Sequence, residues 1–202
     1  MHKEILIESQ LELLPLVKSF SASFGLVGGT AVALHLGHRR SIDFDLFIDK
    51  EFSSKSIREK IKRNWSIQTV IVDEHGEFTL VVNNVKLTFF RFPYKINYYD
   101  QFENVIRIPD IVTLAAMKAF ALGRRAKWKD YVDIFFVLKS YAFEEIARKA
   151  KELFGPEFNE RLFREQLSYY KDVDYSEAVE FMGGREVSNN EIQQSLTELS
   201  LA

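Results

Sequence analysis

The chain has 202 residues, 47% of them apolar and 28% charged, with a net charge of −2, which describes one folded globular domain, or one plus a small appendage, and excludes disorder as its main state. The absence of cysteine removes disulfide frameworks, thiolate zinc and a cysteine nucleophile together, and four histidines without an HExxH spacing argue against a zinc site. Glu4, Glu8 and Glu12 interrupt the N-terminus and no apolar run approaches ~18 residues, so neither a signal peptide nor a membrane span is expected and the expected location is the cytoplasm.

Residues 9–23 read as a helix interrupted or bent at Pro15. The apolar stretch from Phe24 to Val27 enters Gly28-Gly29-Thr30 and then the helix-forming Ala31 to Leu36, which predicts a strand, a turn and a short helix ending at Gly37. Residues 43–48 read as a strand in spite of two aspartates, because alternation places Asp43 and Asp45 on one face and leaves the other apolar. A helix opened by serine caps follows from Ser53 to Asn64. Residues 66–72 and 78–92 then read as strands, the latter folded back at Asn83-Asn84, a pair that tolerates positive φ in a tight hairpin. From Pro109 the apolar period becomes 3.6, with one helix ending at Gly123, a second from Trp128 to Ser140, and helical segments near 143–153, 158–170 and 188–200. The expected class is α+β, with a mixed-sheet core over residues 1–108 and a helical half over 109–202 packed on it.

Charge is unevenly spread. Residues 105–151 carry ten Lys/Arg against five Asp/Glu, whereas 152–202 carry four against eleven, so a polyanion is expected to meet the middle of the chain, at Arg124, Arg125, Lys127 and Lys129.

The chemistry concentrates in Val27-Gly28-Gly29, thirteen intervening residues, and Asp43-Phe44-Asp45-Leu46. Two glycines before a helix let backbone N–H groups approach a polyphosphate at the positive end of the helix. Two carboxylates at i, i+2 on a strand point to one spot, where a hard cation such as Mg²⁺ finds oxygen ligands and keeps positions open for phosphate. In this order and spacing the elements resemble the nucleotidyltransferase signature of the DNA polymerase β superfamily. Residues 24–31 with 39–47, and later Met117-Lys118 through Asp133, resemble more narrowly the AbiEii/AbiGii-type nucleotidyltransferase toxins and their MenT-like relatives.

That resemblance implies a polymerase β-like nucleotidyltransferase core, with Gly28, Gly29 and Thr30 holding the β- and γ-phosphates, Asp43 and Asp45 binding Mg²⁺, Lys118 neutralising the triphosphate and Asp130 completing the site. It also implies an NTP substrate, a tRNA 3′ end as acceptor and a cognate antitoxin. Ser41, with Arg39, Arg40 and the basic stretch 124–129, is expected to contact nucleotide or nucleic-acid backbone, and Trp128 or Tyr131 to stack a base. Many polymerase β-like enzymes carry a third strand carboxylate, yet residues 85–91 hold no acid and Thr88 stands at its place. Asp130 substitutes, or a second metal is held weakly, or the protein binds without catalysing; Asp133 is equally suited to a buried structural role. A small-molecule nucleotidyltransferase is the other reading.

Overall fold

The structure, a computed structural model, describes residues 1–201. Helix α1 (Glu8–Ser19) carries Pro15 inside it and buries Leu13, Leu14, Leu16 and Val17. It stops short of the expected residue 23 because the chain turns there, bringing Phe20 and Phe24 edge-on to Phe89 with ring centroids 4.8 and 5.3 Å away. Strand β1 (Gly25–Val27) leads directly into helix α2 (Gly28–Leu36), which ends as expected at Gly37 in the left-handed region. Strand β2 (Phe44–Ile48) is followed by helix α3 (Ser54–Ile61), where the Ser53 side chain accepts the Ser56 N–H.

Strands β3 (Ile67–Glu74), β4 (Glu77–Val82) and β5 (Val85–Arg91) complete a five-stranded sheet in the order β1-β2-β5-β4-β3. The β4–β5 turn is the expected one, with Asn83 and Asn84 at φ 50° and 61°. Strand β2 pairs in parallel with β5, in a register that sets Asp45 opposite Thr88. Strand β3 meets β4 with register shifts between Ile67 and Thr69 and between Val70 and Val72, so Gln68 and Ile71 bulge.

A second small sheet, β6 (Asp100–Phe102) with β7 (Ile106–Ile108), was not expected, since three-residue strands are too short to show alternation. Helix α4 (Ile111–Leu122) starts two residues after Pro109, because Asp110 is its cap and accepts the Thr113 N–H at 2.7 Å. Helices α5 (Trp128–Leu138), α6 (Phe143–Phe154), α7 (Glu160–Gln166) and α8 (Asn189–Leu201) follow. Helix α7 ends before the expected residue 170, where Leu167 turns fully into the core.

Helix α2 lies between the sheet and the helical half, packing on β1 and β2 and on α4 and α5. The main apolar core takes residues from Ile5 to Leu196, and a smaller cluster of Ala116, Phe120, Ala150 and Phe154 joins α4 to α6. Between α7 and α8 a strap, residues 173–187, crosses back over the molecule: Asp174 donates its N–H to Ala126 O and accepts from the Trp128 N–H, and Glu180 O accepts the Arg40 N–H at 2.8 Å. The Met182 N–H bonds to His38 O at 3.0 Å.

Candidate functional site

The β1–α2 junction and β2 face each other. Val27 pairs with Asp45, and Gly28, at φ +71°, leaves the strand in a conformation that suits glycine. A Cβ on Gly28 would overlap the Asp45 carboxylate, and one on Gly29 would lie 2.8 Å from an Arg39 amino nitrogen and 3.2 Å from Ser41 Oγ. Both glycines are therefore demanded by close approach. The first N–H groups of α2 have no partner within the helix. Thr30 and Ser41 stand behind this turn: the buried Thr30 hydroxyl donates to the Asp43 carbonyl, and Ser41 Oγ lies 2.9 Å from it. They fix the loop that delivers Asp43.

Burial and the negative charge of Asp43 together push the Asp45 carboxyl above the ordinary aspartate range. Among the described residues no hydrogen bond or ion pair engages it. Asp43 is paired with Lys86 of β5, whose Nζ lies 2.6 Å from Asp43 Oδ2. Burial draws the Lys86 ammonium down, but its hydrogen bond to Asp43 and the charges of both aspartates raise it above the usual lysine range.

Across from the strand lies a buried ionic cluster. Lys118 of α4 sits 2.5 Å from Asp130 Oδ1 and 2.7 Å from Asp133 Oδ2, both on α5. Asp133 also accepts two hydrogen bonds from Arg39, at 2.7 and 2.8 Å, and one from His38 at 2.7 Å. All five residues are under 8% exposed. Burial works against the Asp133 charge, yet Arg39 and Lys118 hold it well below the usual carboxylate range. Burial pushes His38 down, and burial lowers Lys118 less than its two carboxylates raise it. The sequence motifs point to Lys118, Asp130 and Asp133 but not to their partners. Arg39 and Arg40, expected from the sequence to contact nucleotide or nucleic-acid backbone, are instead engaged within the chain, Arg39 buried on Asp133 and Arg40 on Glu180.

Between strand and cluster lies a cleft of about 570 Å³, a volume ordinary for a small-molecule site. Gly28, Asp45, Lys86, Thr88 and Lys118 line it, with Glu77 and Thr79 of β4, Arg124, Arg125 and an apolar wall that includes Phe47, Phe90, Phe92 and Phe120. Asp130 stands behind Lys118 rather than on the wall. Other clefts, of 420 to 510 Å³, run beside α8 and hold none of the expected residues.

The basic stretch is already paired within the chain. Arg124 reaches Glu157 at 3.6 Å and lies 3.5 Å over the Phe120 ring, Arg125 reaches Asp130 at 3.4 Å, and Lys127 and Lys129 both meet Glu177 of the strap, at 2.9 and 3.0 Å. Those two lysines hold the Glu177 carboxyl down at about 2. Trp128 and Tyr131, considered above for base stacking, are buried against each other and against Tyr170.

The chain has relatives in sequence and in fold. An uncharacterized protein of Aquifex aeolicus strain VF5 is 27% identical over 177 residues, which cover 86% of this chain and 79% of that one. MenT4, a nucleotidyltransferase toxin of Mycobacterium tuberculosis, superposes with a TM-score of 0.61 at 12% identity, over 95% of this chain and 81% of its own. JHP933 of Helicobacter pylori gives 0.58 at 16% identity, over 97% and 92%. Both share the fold. Residues 16–194 match the family described as nucleotidyl transferase AbiEii toxin of type IV toxin–antitoxin systems, so the chain, with its glycine turn facing the Asp-x-Asp strand, belongs to that family of nucleotidyltransferases.

Proposed function

We propose that the protein moves a nucleoside monophosphate from an NTP to a hydroxyl of a nucleic-acid acceptor, with Mg²⁺ held by Asp43 and Asp45. The observation that carries this reading is Asp45 of β2 facing the Gly28 turn on the same cleft as Lys118, with Asp43 immediately before the strand and tied to Lys86 of the cleft wall. The donor set suits the ion: two carboxylates on one strand face, one of them unpaired and resisting its own charge, are oxygen ligands for a hard cation. Among the described residues no group of three or more acids or histidines is placed to hold a metal ion, and phosphate oxygens are the further ligands this reading calls for. When bound, Mg²⁺ draws charge from the triphosphate oxygens.

The chain's own groups do the rest. The N–H groups of Gly28 and Gly29 point from the start of α2 to bind β- and γ-phosphate oxygens, and Lys118 and Arg125 offset the charge that gathers on the leaving group. The acceptor oxygen bonds to the α-phosphorus while the α–β bridging bond breaks. Pyrophosphate departs with that electron pair, and the hydroxyl proton passes to water. Asp130 and Asp133 orient Lys118, and Thr30 and Ser41 hold Asp43 in place.

A tRNA 3′ end is the acceptor the resemblance suggests, and membership of a toxin family suggests an antitoxin partner. The internal pairing of Arg124, Arg125, Lys127 and Lys129 favours a second reading, a small-molecule acceptor, because paired cations attract a polyanion less. Incubating the protein with each labelled NTP, Mg²⁺ and total tRNA decides: label in tRNA supports the first reading, and nucleotide binding without any labelled tRNA removes it.

A further inference from the structure

β5 runs parallel to β2, so alternation sets Lys86 and Thr88 on the sheet face that carries Asp43 and Asp45. Thr88 lies opposite Asp45, and one step of the alternation back along β5 Lys86 faces Asp43. On this strand a further acid would complete a three-carboxylate cage able to hold two divalent ions. Thr88 stands at the place of that acid, and one alternation step away a cation, Lys86, lies 2.6 Å from Asp43 Oδ2, partly exposed and on the wall of the cleft. Counting only the two aspartates and Lys86, the net charge is −1, which one divalent cation reverses to +1 and a second would drive to +3 before any phosphate enters.

We propose that Lys86 is a resident cation of the nucleotidyl-transfer site, limiting the Asp43/Asp45 pair to one divalent ion and contributing its own positive charge beside the α-phosphate. The inference rests on the transfer reading above. In the transfer step Lys86 keeps its protons throughout: its N–H groups bond to a non-bridging α-phosphate oxygen as the acceptor oxygen bonds to phosphorus and pyrophosphate leaves. It shares Asp43 between strand and site, so it also positions that carboxylate.

A purely structural ion pair on a partly exposed strand predicts no change in metal binding. The proposal predicts changes of opposite sign in two measurements. Titration with Mn²⁺, read by electron paramagnetic resonance, gives one ion per wild-type chain with a non-hydrolysable NTP analogue present. Lys86→Met, by removing a competing charge, tightens Mn²⁺ binding without nucleotide about tenfold, the scale of one charge a few ångströms away at a partly solvated site. The same variant transfers at least about tenfold more slowly, whereas Lys86→Arg keeps one ion and recovers part of the rate. Circular dichroism checks that both variants fold. Two ions in the wild type, or unchanged Mn²⁺ affinity in folded Lys86→Met, overturns the proposal and leaves the transfer reading standing. Mn²⁺ binding as expected, with no label transferred to any acceptor, overturns the transfer reading but keeps Lys86 as the charge that sets the ion count. Absence of any Mn²⁺ binding that depends on Asp43 and Asp45 overturns both.

Discussion

Lys118 serves two demands with one ammonium. It faces the cleft, and it is the charge that lets Asp130 and Asp133 lie side by side in the interior. If Lys118 neutralises the triphosphate as proposed, replacing it by Ala costs roughly 10²-fold or more in transfer. It also leaves two buried carboxylates short of a partner, for about 3–5 kcal/mol of stability. Denaturant melts and transfer rates of Lys118→Ala check both, and an unshifted melt would show that Arg39 on Asp133 and Arg125 on Asp130 compensate the acids. Asp45 behaves in the opposite way. Its carboxyl is pushed up on folding, so its ionised form opposes stability at neutral pH. Asp45→Asn should therefore abolish transfer while leaving the melting temperature equal or higher, and Asp43→Asn should abolish transfer with Lys86 released. Retained turnover in both variants would remove the aspartates from the reaction. The placement of the glycines and of Asp45 was legible because it is local, a turn and a strand face. The anchoring of Asp133 was not, since His38 and Arg39 lie 95 and 94 residues away and only the folded chain brings them together.

Elements follow the same division. Helices α4 and α5 could be read from their apolar period and from the glycine between them, whereas β6 and β7 are too short to carry a period. The strap has no periodicity, and its meaning lies in what it covers. Glu177 there is held down at about 2 by Lys127 and Lys129, against an ordinary value of 4.5. Its folded value lies below the unfolded one, so its contribution is complete above pH 4.5 and is lost as the pH falls from there toward 2. Glu177→Gln should flatten the pH dependence of stability in that window. At neutral pH it should speed hydrogen exchange at the Asp174 and Trp128 amides, which tie the strap to α5. The substitution also frees two lysines, so tighter tRNA binding with a steeper salt dependence is expected if the basic stretch meets the acceptor. Filter binding at two salt concentrations reads this, and unchanged affinity would place the acceptor elsewhere.

At the scale of the molecule, α2 joins the halves. Its one face meets the sheet and its other meets α4 and α5, and the main apolar core takes residues from Ile5 to Leu196. Two tryptophans report on either side: Trp65 packs against the core beyond α3, and Trp128 opens α5. Single-tryptophan variants, Trp65→Phe and Trp128→Phe, should give coincident denaturant transitions by fluorescence, matching circular dichroism, as one cooperative unit requires. Separate midpoints would make the halves independent folding units. The α+β class was legible from the change of apolar period near residue 109. The strand order was not, because β2 pairs in parallel with β5 across α3, β3 and β4, and no local pattern encodes a partner so distant in sequence.

The two bulges of β3 have a consequence for life in a crowded solution. β3 ends the sheet, so its outer backbone groups are open to another chain, and Val70 and Ile71 are exposed on it. An unbroken eight-residue edge of this kind invites intermolecular strand addition and fibril growth. The bulges at Gln68 and Ile71 interrupt the spacing of those groups twice, and the strand ends in charged side chains, Asp73 paired with Arg58 and then Glu74. An incoming strand could match only a few residues before losing register, so the irregularity of β3 acts as a built-in guard against aggregation.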